Sequence, residues 1–437
     1  MGEGNGKHSS QGVAKHPLVY KGVSKESKMD RQFIPRGLQR TSFTRFVTWI
    51  LPWILLLGIG VYAAFLCLAE GLNHTNMDNR FAFGLWIYLD LTVIALGAGA
   101  FFTGFLLYIL RRDELKAVIN SAVVLGLICY SGAVAVLMVD VGQPLRAWFT
   151  FWHPNTHSML TEVTFCLTAY LTVLAIEYLP VVLKNRKLRQ IPRFLVFEFE
   201  LHKVMPVFAG IGTFLSFFHQ GSLGGLYGVL VGRPFSFREA LGIWPSTFFL
   251  FIISAAAAGP SFVLLTTWLV QKISGKKLVK PEVLRYLGKV SGWILIVYVL
   301  LKALDTLYWI NLTAPAEGAP AYTFYTSQGF GTWILVAEIV VLGLIPAMVL
   351  LSRRLRERTG ILIGAALLAC SGIVMNRFVM TIQTLALPTL PFDPFLSYVP
   401  SWQEVATFLA VVAYGVLLYS FSFRYMTLFP QERDIRQ

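Results

Sequence analysis

Ten apolar runs of membrane-spanning length divide the chain, starting near Phe46, Phe83, Lys116, Leu160, Val204, Ile243, Leu287, Gly331, Gly360 and Trp402. Crossing a hydrocarbon core of roughly 30 Å takes about 20 residues of helix, and each run is that long. The pattern predicts an all-α polytopic membrane protein of ten transmembrane helices. Helices 2 to 5 and helices 6 to 9 form two sets of four, read as two four-helix bundles flanked by helices 1 and 10. The expected organisation is an N-terminal tail over 1–45, a membrane domain over 46–426 with bundles at 83–231 and 243–384, and a C-terminal tail over 427–437.

Positive charge orients this array. All but six of the 37 Lys and Arg residues lie in the two tails and the even-numbered connections. The six are Arg80, Arg146, Arg233 and Arg238 in odd-numbered connections, and Lys302 and Arg377 inside helices. Lys and Arg beside helix ends remain cytoplasmic, so both termini are expected inside and the segment 141–158 outside. The net charge of +14 therefore reads as topology and attraction to anionic lipid, with no nucleic-acid partner. A soluble domain with 56% hydrophobic residues and 34 Phe would aggregate. The N-terminal tail carries nine Lys and Arg and is too polar for a cleaved signal peptide. Its first 28 residues have the composition of a disordered segment.

Ionisable groups inside hydrocarbon cost several kcal/mol unless paired or hydrated, so each is a functional candidate. In the first bundle Asp90, Asp140, Glu162 and His219 all fall at outer depth, while Glu177 stands nearly alone in the inner half. Four proton-exchanging groups gathered there suggest a site that handles protons near the outer face, with Glu177 marking any inner proton path. Asp140 and Glu162 also suit a purely interfacial position. In the second bundle Lys302 and Asp305, spaced i, i+3, and Glu338 with Arg377 on neighbouring helices are expected to cancel as structural ion pairs. Glu162 with Glu338, His219 with Arg377, and Asp140 with Asp305 recur at comparable positions, which suggests a parallel internal repeat.

Other chemistry finds few residues. A membrane b-type haem usually takes two His ligands at matched depth, and only His219 is well inside a run. Cys67, Cys129, Cys166 and Cys370 fall on four helices without a CxxC pair, so they read as packing residues rather than cluster or metal ligands. Gly97, Gly99 and Gly104 lie within helix 2, where small residues allow close helix packing.

Three stretches together resemble the NrfD/PsrC family of membrane quinone-oxidoreductase subunits, in its longer ten-helix branch. They are Leu96-Gly97-Ala98-Gly99-Ala100-Phe101, Asp140-Val141-Gly142-Gln143-Pro144-Leu145-Arg146-Ala147-Trp148, and His219-Gln220-Gly221-Ser222-Leu223-Gly224. The pattern departs at Gly221, where the longer branch leads one to expect Ser. The resemblance implies a subunit of a respiratory oxidoreductase complex in the bacterial inner membrane, with no haem or iron–sulfur cluster of its own. It would bind menaquinone or another quinone near the periplasmic face. Its implied partner is a periplasmic ferredoxin-like iron–sulfur subunit, with a multihaem cytochrome c and a molybdopterin-type or hydrogenase-type subunit as further candidates. His219, Asp90, Glu162 and Asp140 would then serve proton transfer, and Gly221, Gly224, Gln143 and Arg146 quinone binding. Gly221, Gly224, Gly225 and Gly228 fit either close approach of a flat ring or close helix packing. Arg146, Trp148, Trp152 and His153 fit either partner contact or an interfacial aromatic belt.

A secondary transporter or other ion-translocating protein is the rival reading, given ten helices, an internal repeat and buried charge. Against it, the polar cluster lies toward the outer face rather than the midplane, and helices 2 to 4 show no interior Pro break. The same cluster favours proton exchange with the outer aqueous phase, so that turnover would be electroneutral unless Glu177 or His202 opens an inner route.

Overall fold

The computed structural model describes residues 33–34, 38, 40–184, 188–228, 240–241, 244–316, 318, 331–386 and 396–430. Arg233 and Arg238 lie outside the described residues, as does the side chain of His202. In lipid each backbone N–H and C=O must be satisfied within its own segment, and the apolar runs accordingly form long helices. These are α1 Phe43–Glu70, α2 Leu85–Ile109, α3 Ile119–Asp140, α4 Met159–Leu183, α5 Pro192–Gly228, α6 Ser246–Ser274, α7 Pro281–Ala316, α8 Thr332–Leu351, α9 Thr359–Ala386 and α10 Trp402–Tyr425. Nine of them are long and apolar enough to cross a membrane. The exception, α5, has 37 residues and ample length, but His219, Gln220 and its hydroxyl residues dilute its hydropathy. A two-residue antiparallel ladder pairs Ala240–Leu241 with Trp244–Pro245 ahead of α6. Pro180 falls inside α4, contrary to the expectation for helices 2 to 4; its place in the last turn leaves most of the helix unbroken.

The two sets of four helices close in the same way. In the first, α2 packs on α3, α3 on α4, α4 on α5, and α5 back on α2. The second repeats that ring with α6, α7, α8 and α9. One continuous apolar core runs through both bundles, from Leu91 and Tyr130 to Leu295 and Ile373. The bundles meet where α6 lies against α2 and α5. There the backbones nearly touch: a Cβ built on Gly259 of α6 would stand 2.6 Å from the Cα of Gly99 on α2. The glycines of helix 2 thus serve packing, as small residues do between membrane helices.

Outside the rings, α1 lies along α10, and α10 packs on α3. Helix α1 leaves Leu51, Leu55 and Phe65 more than half exposed, as a lipid-facing helix must. The start of α10 is tightly determined. Ser401 and Glu404 form a capping box, in which each side chain satisfies an amide at the helix start. Fully buried Glu404 also accepts from the Asn76 amide at 3.0 Å and from the Tyr398 hydroxyl. Burial and this bond to a carboxylate push the Tyr398 phenol upward from its ordinary value. The end of the molecule that carries Glu404, Asp140 and the 141–158 connection is the one the charge pattern assigns to the outside.

A buried polar cluster in the first bundle

Asp90 lies five residues into α2, about 8 Å along its axis, and is 4% exposed. His219 lies nine residues before the end of α5 and is fully buried. Its ring abuts the α4 backbone at Val163 without reaching hydrogen-bonding geometry, and neither ring nitrogen has a partner. Gln220, 1% exposed, approaches the Tyr130 hydroxyl, but neither its amide oxygen nor its nitrogen reaches hydrogen-bonding geometry. Oδ1 of Asp90, Oδ1 of Asp140 and Oε1 of Glu162 are buried without hydrogen bonds as well. Buried polar atoms are almost always satisfied, so these orphans on α2, α3, α4 and α5 are candidates for holding a ligand or water.

These helices bring the expected residues into one neighbourhood. Asp140, the last residue of α3, is close enough to Asp90 for their charges to interact. Glu162, in the first turn of α4, approaches Ser222 of α5, although that hydroxyl donates to the Phe218 carbonyl at 2.7 Å. Gln143 and Arg146 do not join them: both side chains are exposed in the connection after α3.

Gly221, Gly224 and Gly228 of α5 face α6 and the residues before it rather than open space. A Cβ on Gly221 would meet the ring of Phe248 at 2.5 to 2.7 Å. One on Gly224 would meet Phe251 at 2.8 Å, and one on Gly228 would meet Pro245 at 2.5 Å. Helix α6 lies against α5 at Gly221 and Gly224, so close helix packing accounts for both glycines in this structure. The same contact accounts for Gly in place of the expected Ser at 221, since Phe248 leaves no room for a side chain.

Sequence reasoning missed the aromatic residues inward of His219. The Tyr130 ring of α3 stands 5.8 Å from the imidazole, centroid to centroid. Its hydroxyl is 2.8 Å from Ser216 Oγ, one turn inward on α5. Tyr170 of α4 packs edge-on against Tyr130 at 4.5 Å, and its buried hydroxyl approaches Ser216 without reaching hydrogen-bonding geometry. Tyr170 and Tyr108 both lie within electrostatic reach of Glu177. A polar column thus descends from His219 through Tyr130, Ser216 and Tyr170 toward Glu177. The available signal was that buried Tyr hydroxyls require partners, but a Tyr inside an apolar run resembles any core aromatic.

The second bundle holds a different network, and its pairing differs from that expected. Lys302 on α7 pairs with Glu338 on α8, Nζ to Oε1 4.0 Å, and not with Asp305. Asp305 instead accepts from Ser246 Oγ at 2.5 Å. Arg377 does not reach Glu338 directly. Asn376 stands between them, donating to Glu338 at 2.7 Å while accepting from Arg377 at 2.7 Å. Arg377 also donates to Ser254 at 2.9 Å and lies 3.6 Å above the Phe251 ring. Depth along a helix was legible in the sequence, but rotation about its axis, which selects the partner, was not.

Two closed rings of long apolar helices define a polytopic membrane protein, with a buried polar cluster in one ring as its candidate site. The family model described as "Polysulphide reductase, NrfD" matches residues 73–388, and the chain belongs to that family. It is 49% identical over 94% of its length to the "Menaquinone reductase, integral membrane subunit" of Nitratidesulfovibrio vulgaris, covering 98% of that protein. It is 24% identical to the "Probable Ni/Fe-hydrogenase 2 b-type cytochrome subunit" of Escherichia coli K12, over 82% of this chain and 86% of the relative. It is also 24% identical to a selenate reductase subunit of Mesobacillus selenatarsenatis, over 87% of this chain and 93% of the relative.

Proposed function

We propose that this chain is the quinone-binding membrane subunit of a menaquinone-reducing or menaquinol-oxidising complex. The observation that carries the reading is the group of buried, unpartnered side chains Asp90, His219 and Gln220 in the outer half of the first bundle. A quinone head group presents two carbonyl acceptors and, when reduced, two hydroxyl donors. An imidazole and an amide can donate to the first, and a carboxylate can accept from the second. Converting one form to the other moves two electrons and two protons. His219 and Asp90 would exchange the protons with the quinone oxygens, and Asp140 and Glu162 would pass them toward the outer surface.

Electrons need a neighbouring redox centre. Among the described residues His219 is the one histidine with a placed side chain inside a long helix. We assign electron delivery to a separate periplasmic iron–sulfur subunit docked at the outer end. The relatives' names, which include reductase and hydrogenase subunits, support membership of a multisubunit complex.

A second reading concerns the proton source. The column from His219 through Tyr130, Ser216 and Tyr170 to Glu177 favours uptake from the inner side. With electrons arriving from outside, that route would make quinone reduction electrogenic rather than electroneutral.

Steady-state turnover of a menaquinone analogue by the assembled complex tests the main reading. His219→Ala and Asp90→Asn should each abolish turnover while the subunits still co-purify. Near-normal turnover in both would move the site elsewhere.

A further inference from the structure

We propose that residues 144–152 form an interfacial element embedded in the lipid leaflet beside α4, not a docking face for a soluble partner. The segment comprises two short helical turns, Pro144–Arg146 and Phe149–Trp152. Leu145, Trp148, Phe149 and Trp152 follow the spacing i, i+3, i+4, i+7, which places them on one helical face. They are 87%, 52%, 44% and 71% exposed. Four large apolar side chains on one uncovered face require a covering medium, and two of them are Trp, the residue enriched at membrane interfaces.

The depth of the segment identifies that medium. On its other face Phe151 packs edge-on against Phe165 of α4, with ring centroids 5.1 Å apart. Phe165 is six residues into α4, about 9 Å along the axis from its first residue. Helix α4 has 25 residues, about 37 Å at 1.5 Å per residue, against a hydrocarbon core of roughly 30 Å. Only a few ångströms therefore project at each end, so Phe165 and the Phe151 ring on it lie below the headgroups. The connection folds back along the outside of α4 into the leaflet. Its apolar face continues the lipid-facing surface of α4 at Leu160 and Phe165, themselves 56% and 42% exposed. A soluble partner would have to penetrate below the headgroups to cover it. Acyl chains and glycerol groups are already there, and exposed Arg146 can rise to the phosphates above.

The test uses the full chain in its complex, reconstituted in phospholipid nanodiscs. Nitroxide labels are attached to Leu145→Cys, Trp152→Cys and, as the aqueous reference, Asn155→Cys, in a Cys166→Ser background because the other three cysteines are buried. Collision rates with oxygen and with a water-soluble nickel chelate report depth. The proposal expects labels at 145 and 152 to collide mainly with oxygen and the label at 155 mainly with nickel. Nickel-accessible labels at 145 and 152 would overturn it. Labels shielded from both reagents would also overturn it, in favour of a protein partner. If Trp152→Cys fails to assemble, position 145, whose side chain touches little, decides the question alone.

Discussion

Neutralising Glu338 isolates the electrostatic part of the second-bundle network. In Glu338→Gln the amide oxygen still accepts from Asn376 Nδ2, so the 2.7 Å hydrogen bond survives while the charge opposite Lys302 disappears. The Lys302 and Glu338 side chains are 7% and 5% exposed and 4.0 Å apart. At an effective dielectric constant of about 20 that separation is worth about 4 kcal/mol. This agrees with the cost of about 3–5 kcal/mol for leaving one member of a buried pair uncompensated, roughly a thousandfold in a folding equilibrium. Lys302→Met removes the second charge and keeps most of the stem, so the double variant should recover much of the loss. A double-mutant cycle on detergent-induced unfolding should give a coupling of about 2–3 kcal/mol. That is less than the Coulomb figure because the unfolded chain can hydrate both charges. The parallel cycle of Glu338→Gln with Arg377→Met should couple less, because Arg377 is held by Asn376, Ser254 and Phe251. A larger coupling for Arg377 than for Lys302 would refute this assignment of partners.

Three further outcomes are expected. Gly259→Val should reduce assembled, membrane-extracted protein sharply, because its Cβ meets the backbone of Gly99 and overpacking of a fixed core costs about 1–3 kcal/mol or more. Gly364→Ala, with nothing within 4 Å of its Cβ, should be neutral or slightly stabilising on the same assay. If the polar column below His219 carries protons, sealed vesicles with a potential-sensitive dye should show a turnover-dependent potential that Glu177→Gln removes while the complex remains assembled. The absence of a potential in the unmodified complex would return the proton source to the outer face.

Hydrophobic run length located the long helices because spanning lipid is almost entirely a matter of apolar length. It misjudged where helices continue beyond the hydrocarbon. Helix 5 was expected from Val204, yet α5 begins at Pro192, since Arg193, Glu200 and Lys203 sit on helix that hydropathy cannot see. Asp90 and His219 were legible as candidates because a titratable group in lipid is conspicuous whatever its neighbours. The role of Gly221 and Gly224 was not, because glycine permits close approach by a ligand or by a helix alike, and only the position of Phe248 and Phe251 decides. Tyr130, Ser216 and Tyr170 remained hidden for a related reason: they become a column only when three helices are rotated toward one another. Glu404 escaped notice because a capping carboxylate near a loop looks solvated in sequence, whereas here it is fully buried beneath Asn76 and Tyr398.

Photo-crosslinking of the intact complex with an azido-menaquinone, followed by peptide mapping, addresses the central claim most directly. The account predicts labelled peptides from α2 around Asp90 and from α5 around His219, with labelling competed away by unmodified menaquinone. The structure also holds a groove of about 350 Å³ between α1, α3 and α10, lined by residues such as Gly60, Gly132 and Ala410. Competed labelling confined to that groove, or to the second bundle around Arg377, would contradict a quinone site at His219.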